Sequence, residues 1–485
     1  MKKIQNFLSG FMYLSLKIML LIIAISTFRY LRSYGDFNSV ESLSIVIVFI
    51  FISLWFYYLL KKDSKYIMLF IIAIGIILRV VWNLKVNTLP YSDFRVMYEA
   101  GQQVLEGNFY IFHGTYYFAR FPHLTVLVLY FAFIQSIFNN SLMVIKIINI
   151  ILGLVSVLFI YLIIKKLFNP KSKALTGAFL ASIYPPFIIY SSVILGENIA
   201  ITFFLMSIYL FLTFVKEKRT ILILILSGLL LSIGNLFRMV GAVLLIAYIL
   251  YIVIYEEINF RNKLVHGVFL ILVFYIPLII VSSGLKSLGV TEFNLWKGNE
   301  SKWTSILKGT NIESEGKWSE EDSLIVEEYN YDFKIVEEAS KDIVHERLTT
   351  TPPIELIKFY IDKFAKQWRS GDFGGIYWAA EARAEMGEDV SFAYNIDLYS
   401  NLLHIILMIL IIIGLFNKST KSNRELNLLF IILGGFIIQC LLTESQERYS
   451  YIASWLFIIL PFSIDVSSIK KFIFNIRNLL LMALQ

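Results

Sequence analysis

"HLTVLVLYFAFIQSIF" (residues 123–138) is the stretch on which the topology turns. It is about as long and as apolar as several segments that read as membrane spans, so its length does not say whether it crosses. A helical crossing takes about 20 predominantly apolar residues. The other candidate spans are 11–28, 42–60, 66–83, 143–164, 174–194, 198–216, 220–237, 239–255, 264–283, 401–416, 425–442 and 449–466. If 123–138 stays on one side, the loops "KKDSK", "KKLFNPKSK", "KEKRT", "NKSTKSNR" and "SIKKFIFNIR" all share the side of the amino-terminal "MKK". If it crosses, the early basic loops oppose the later ones. Lys and Arg collect in cytoplasmic loops. The sequence therefore predicts twelve spans with both termini in the cytoplasm, and 123–138 lying in or dipping into the outer interface.

Composition supports the same class. The chain is 58% hydrophobic and 16% charged, with the apolar residues in repeated span-length blocks, as in an all-α polytopic membrane protein. The net charge of +7 sits in short clusters between apolar runs, which marks topology and not nucleic-acid binding. Cys440 is the only cysteine, so no intrachain disulfide forms. The start, "MKKIQNFLSGFMYLSLKIMLLIIAISTF", has no small-residue cleavage site after its apolar core and reads as a retained first span. The expected organisation is two N-terminal spans (1–65), a transmembrane core (66–283) with a large outer loop (84–142), an extracytoplasmic subdomain (284–400) and C-terminal spans (401–485). In the subdomain, "SEEDSLIVEEYN" reads as an acidic helix. In "TTTPPIELIKFYIDKFAKQW", Thr351 is placed to cap a helix with Pro352 in its first turn. Ile354, Ile357, Tyr360, Ile361, Phe364 and Trp368 recur there at helical spacing, which suits a helix resting on the bilayer or covering a cavity below. No internal repeat or low-complexity segment stands out.

This topology gathers polar residues outside. Asp93 lies in "NTLPYSDFRVMYEAGQQVLEGN" (87–108), and Arg120 and His123 lie in "ARFPHL" (119–124). Glu197 is in "ILGENIA", Arg238 in "GNLFRMV", and Glu444 and Arg448 in "LTESQERYSY". Arg79 and Lys146, near span ends, are expected to snorkel. There is no phosphate-cradling Gly-Lys loop, Gly-x-Ser-x-Gly, His-Glu-x-x-His or cysteine pair. The inner loops are too short to fold a nucleotide-binding domain, so an activated substrate has to come from the membrane or from outside.

One span, then "YSDF", then "YEAGQQVLEGNFY", an arginine-proline entry to an interfacial helix and a glutamate after the fifth span form an ordered set. The set is similar to the GT-C glycosyltransferases of the protein-mannosyltransferase and lipid A aminoarabinose-transferase type. The likeness is best over residues 66–240, with echoes in "LWKGNESKW" and "ERYSYIASWLFIILP". It implies a GT-C-like bundle, a polyprenyl-phosphate sugar as donor and a glycan, lipid or protein acceptor in the cell envelope. It also implies Asp93 as catalytic base, Glu197 as the second acidic position and Arg120 as the basic residue facing the donor phosphate. The chain departs from the pattern in its two extra leading spans, in Phe94 where relatives place a second acid, and in the single Pro122.

The chemistry fits those parts. Transfer from a phosphate donor needs a base within about 2.6–3.2 Å of the acceptor hydroxyl. It needs no general acid, because the phosphate leaves as a stable anion, but it does need cations on that leaving group. Asp93 with Arg120, Arg238 and Arg448 supplies them, and in-line displacement implies inversion. A divalent cation is a candidate cofactor, with Glu197 or His123 as ligands, and His123 and Glu444 mark a candidate acceptor or metal site. Membrane lipids are the remaining partners. Taken one at a time, Asp93 is also readable as a solvated loop acid, Glu197 as a helix-start charge and the arginines as headgroup anchors. Glu444 and Arg448, four apart, also suit a pair on a helix start. The rival function is a transporter or flippase of lipid-linked glycans, and a surface-polysaccharide polymerase or ligase is a third reading. Transporters commonly carry repeated halves and broken helices at the midplane, whereas here the polar groups lie at one face and a single large loop breaks the symmetry.

Overall fold

The computed structural model describes residues 2–33, 40–168, 170–217, 220–417 and 423–464. Its elements are helices, and among the described residues the only β-type pairing is an isolated bridge between Asn294 and Lys297. Eight described helices are long and apolar enough to cross a membrane: Gln5–Arg32, Val40–Lys61, Ile67–Val86, Ser141–Leu167, Gly196–Glu217, Phe260–Ser287, Ser391–Phe416 and Arg424–Leu442. The remaining expected spans take other forms. Helix Lys171–Ile183 and the pieces Pro185–Ser192 meet at a bend of 53°. Ile221–Phe237 and Ala242–Tyr255 are a short hairpin. The expected span 449–466 is broken into Glu447–Ala453, Leu456–Ile459 and Leu460–Ser463, almost wholly buried in the bundle, and residues 465 and 466 lie outside the described residues.

The bend explains a residue the sequence reading misplaced. Pro185 and Pro186 have no N–H to give to the carbonyls four residues earlier, those of Ala181 and Ser182, so the helix breaks there. Those two carbonyls, with that of Gly75, accept from Arg79, whose Nη1 lies 2.9 Å from Gly75 O and 3.2 Å from Ser182 O, and whose Nη2 lies 3.5 Å from Ala181 O. Arg79 is 0% exposed. It does not snorkel; it satisfies backbone groups that lipid would leave unpaired. Gly153 makes room for it, since an added Cβ there would lie 3.0 Å from Arg79 Nε. Lys146 does not snorkel either. It is buried, and its Nζ lies 2.6 Å from Thr88 O.

That contact also decides the stretch 123–138. Helix Ile67–Val86 ends next to Thr88, and Lys146 lies in the second turn of Ser141–Leu167. The chain therefore starts this helix at the face where the earlier one ended. Helix Thr125–Ile137 between them does not cross. It turns 108° from the segment before it and packs on the amphipathic helix Asp93–Leu105, with Gln135 Nε2 bonded to Tyr98 O at 2.9 Å. At the opposite face, Lys166 pairs with Glu217, Ser9 Oγ meets the Tyr255 hydroxyl at 2.8 Å, Arg424 pairs with Glu257 and Lys173 bonds Ile464 O. The ends flanking the basic loops thus share one face, and the loops carrying the candidate site share the other, called the site face below.

On the site face, residues 291–396 form short helices and loops. A small second core of Leu307, Ile325, Val326, Val336 and Val344 joins helices Trp303–Gly309, Glu320–Glu328 and Phe333–Thr350. Arg347 and Asp322 bridge the same helices at 2.8 Å. Thr351 ends the third of these and does not cap the next helix; Pro352 is the N-cap and Pro353 the first residue of Pro353–Trp368. That helix is fastened by Lys363, whose Nζ donates to Gly309 O, Leu441 O and Thr443 O at 2.6, 2.9 and 2.7 Å. Burial lowers this ammonium to about 8.

Candidate functional site

Asp93 is the first residue of helix Asp93–Leu105, and the residue before it is strained. Ser92 has φ 49° and ψ −128°, a conformation that costs a non-glycine residue about 1–3 kcal/mol and persists only when its surroundings enforce it. Contacts on both sides of its loop do so. Lys146 holds Thr88 O from below, while Arg383 Nε holds Asn87 O at 3.0 Å and the Tyr91 hydroxyl bonds Glu385 at 2.7 Å. Helix Gly375–Ala384 and the residues after it therefore brace the loop that aims Asp93. Pro90, Tyr91, Phe94 and Trp378 help to line a narrow crevice beside that loop, too tight to admit a water molecule.

Arg448 Nη2 donates to Asp93 Oδ2 at 2.8 Å. The arginine side chain is 7% exposed and the aspartate 39%, so the pair is desolvated on one side and open on the other. Trp378, Phe94 and Tyr449 cover the guanidinium at 4.2, 4.9 and 5.4 Å from the ring centroids, which suits a cation on aromatic faces. Arg448 Nε and Nη1 are buried and make no hydrogen bond of normal geometry among the described residues. Asp93 Oδ1 likewise takes no hydrogen bond among them. The pair thus holds one carboxylate oxygen in place and leaves the other free, beside donors that an anion would satisfy.

Arg238 forms a second pair, its Nε 3.1 Å from Glu197 Oε1. Glu197 is in the first turn of Gly196–Glu217, where a negative charge suits the helix dipole. Arg238 ends Ile221–Phe237, and a close backbone approach brings the two together: a Cβ on Gly196 would lie 2.3 Å from Phe237 O. Arg238 also lies over the Tyr449 ring at 5.4 Å, so Tyr449 stands between the two pairs. The third pair joins Arg120 to Glu300, with Nη2 and Nε 2.6 and 2.7 Å from the same oxygen, and Thr304 donates to the other oxygen at 2.7 Å. Tyr117 lies among these groups. Burial and then Asp93 raise its phenol, while Arg448 and Arg120 oppose them.

The remaining candidates divide. Burial, then Arg238 and Lys302, push the His123 imidazole down to about 4, so it is neutral at neutral pH and has cations for neighbours. Glu444 is buried and raised by burial, and it accepts from Gln446 at 2.9 Å. It does not pair with Arg448, because residues 443–446 are not helical and the i,i+4 geometry never forms. Glu197 is committed to Arg238, and among the described residues no group of three or more His, Cys, Asp or Glu side chains is arranged to hold a metal ion. Sequence reasoning missed Glu300, Tyr117, Tyr449 and Trp378. Glu300 and Tyr449 fall in two of the echoing stretches, but nothing local shows that they meet Arg120 and Arg448. Trp378 carries no sequence signal at all.

The architecture and this cluster define a polytopic, all-helical membrane protein whose arginines and carboxylates converge on one face. Residues 124–281 match the family described as dolichyl-phosphate-mannose-protein mannosyltransferase, which supports a membrane glycosyltransferase of the GT-C superfamily. The match takes in Glu197 and Arg238 and begins beyond Asp93, Arg120 and His123. No curated protein and no solved structure matches the chain significantly.

Proposed function

We propose that the chain transfers a sugar from a polyprenyl-phosphate donor to an acceptor hydroxyl of the cell envelope, on the extracytoplasmic side, with inversion at the anomeric carbon. The observation that carries this reading is the Asp93–Arg448 pair, with one free carboxylate oxygen next to unsatisfied guanidinium donors. The acceptor oxygen attacks the anomeric carbon as the bond from that carbon to the phosphate oxygen breaks. Asp93 Oδ1 takes the hydroxyl proton, and the polyprenyl phosphate departs with the bonding pair. Arg448 is the nearest cation to receive it, and Arg238 and Arg120 supply further charge where it develops. Glu197 and Glu300 orient those two arginines. The envelope acceptor, the side of the membrane and the donor class rest on the family likeness and on the helix ends flanking the basic loops, which share the other face.

The test is donor use by full-length protein in nanodiscs, offered polyprenyl-phosphate hexoses and pentoses with envelope extract as acceptor. Release of polyprenyl phosphate and the mass of the glycosylated product are read together. Arg448→Ala should weaken donor use while the protein stays folded. Turnover of a pyrophosphate-linked glycan but of no monophosphate sugar would replace this reading with that of a ligase.

A further inference from the structure

Ile354, Ile357, Ile361, Phe364 and Trp368 lie on one stripe of helix Pro353–Trp368, at i, i+3, i+7, i+10 and i+14. The stripe is one surface with two fates. Phe364 and Trp368 are 5% and 0% exposed, where the helix packs on Lys2–Ser33 and Arg424–Leu442. Ile354, Ile357 and Ile361 are 83%, 61% and 45% exposed, and no described part of the chain covers them. Charged Glu355, Lys358 and Asp362 occupy the adjoining face, all exposed, with two acids against one base.

We propose that the membrane leaflet at the site face covers the bare isoleucines, so that Pro353–Trp368 is an interfacial helix with its apolar stripe in lipid. Continuity argues for lipid over a protein partner. The helix is tied to the ends of two spans: Thr27 Oγ1 donates to Arg369 O at 2.7 Å, and Lys363 Nζ holds Leu441 O and Thr443 O. Next to those tie points in sequence, Phe28 and Leu442 are 61% and 57% exposed and belong to the lipid-facing belts of their spans. The uncovered isoleucines prolong that belt beyond the span ends. The near-neutral polar face makes the contact one of apolar burial and not of attraction to anionic headgroups. Lys363 Nζ also holds Gly309 O, nine residues from Glu300, so the helix is tied to the segment that carries Glu300.

The experiment uses full-length protein with Cys440→Ala and single cysteines at Ile354→Cys, Ile357→Cys, Lys358→Cys or Asp362→Cys, each labelled with an environment-sensitive fluorophore. The proteins are reconstituted in phosphatidylcholine vesicles, with nitroxide-labelled phosphatidylcholine or aqueous iodide as quencher. Labels at 354 and 357 should be quenched several-fold more by the lipid nitroxide than those at 358 and 362, and the order should reverse with iodide. Equal iodide quenching at all four positions would overturn the proposal. So would shielding of 354 and 357 from both quenchers, which is what a second copy of the chain on this face would give. Since vesicles of neutral lipid suffice and no sugar donor is present, the outcome is independent of the proposed reaction.

Discussion

Replacing Asp93 by asparagine separates two jobs that the structure gives to one side chain. Asparagine keeps an oxygen able to accept from Arg448 Nη2, now 2.8 Å from Asp93 Oδ2, but it cannot take a proton from an acceptor. With the carboxylate 39% exposed, the lost charge is partly screened, and the change should cost folding about 1–2 kcal/mol. Removing a general base costs about 10²–10⁴ in rate, or about 3–5 kcal/mol in the barrier. The two costs are far enough apart to be told from each other. Asp93→Asn should insert, purify and retain the donor, with a lowered melting temperature and turnover reduced by those orders of magnitude. Asp93→Glu should also be slow, because the added methylene pushes the carboxylate past the position that Ser92 and its braced loop define. Turnover is read as release of polyprenyl phosphate in nanodiscs and stability as intrinsic-fluorescence melting of the same sample. Near-normal turnover by Asp93→Asn would refute the base assignment and leave Asp93 as a positioning partner of Arg448.

Three further outcomes follow from particular contacts. Arg79→Met should leave the Ala181 and Ser182 carbonyls unpaired at the proline break and cost about 1–3 kcal/mol for each one that finds no other donor, read as a lower melting temperature in detergent. Gly196→Ala should wedge the start of Gly196–Glu217 away from Phe237 O, cost about 1–3 kcal/mol and weaken donor use by moving Glu197 from Arg238; unchanged donor kinetics would separate that pair from function. Burial, then Asp372, raises the Glu447 carboxyl from 4.5 to about 7 against the pull of Arg369 and Lys317. Because the folded form holds its proton more tightly than the unfolded chain, the stability this gives is complete below pH 4.5 and is lost as pH rises through about 7. Glu447→Gln should flatten that decline, and a melting profile against pH that keeps its slope would remove Glu447 from the account.

The long apolar helices, and the shared face of the helix ends that flank the basic loops, were legible because lipid leaves a coarse signature: long apolar blocks with basic loops between them. The same rule recovered 123–138 as a helix that does not cross, which the Lys146–Thr88 contact establishes geometrically. What stayed hidden was pairing over long sequence separations. Asp93, Arg238 and Arg448 could be named from their places at span ends. That Arg448 turns from Glu444 to Asp93, and that Glu300 closes on Arg120, depends on the tertiary packing of loops hundreds of residues apart or nearly so. Arg79 was misread for a different reason. An arginine near a span end usually reaches for water, and only the position of Pro185 and Pro186 in a neighbouring helix supplies carbonyls that keep it inside.

Each arginine of the site already holds a carboxylate, so a phosphate that enters meets three ion pairs and not three open cations. The net positive charge of the cleft is smaller than the arginines alone would suggest, and on the proposed reading donor affinity should respond weakly to salt for the buried part of the contact. At Arg448 the bond to Asp93 occupies Nη2 alone and leaves Nε and Nη1 for a second anion. One guanidinium can then serve a leaving phosphate while it still steadies the carboxylate, so on the proposed reading the pair itself imposes no order on the arrival of lipid-linked sugar and hydroxyl.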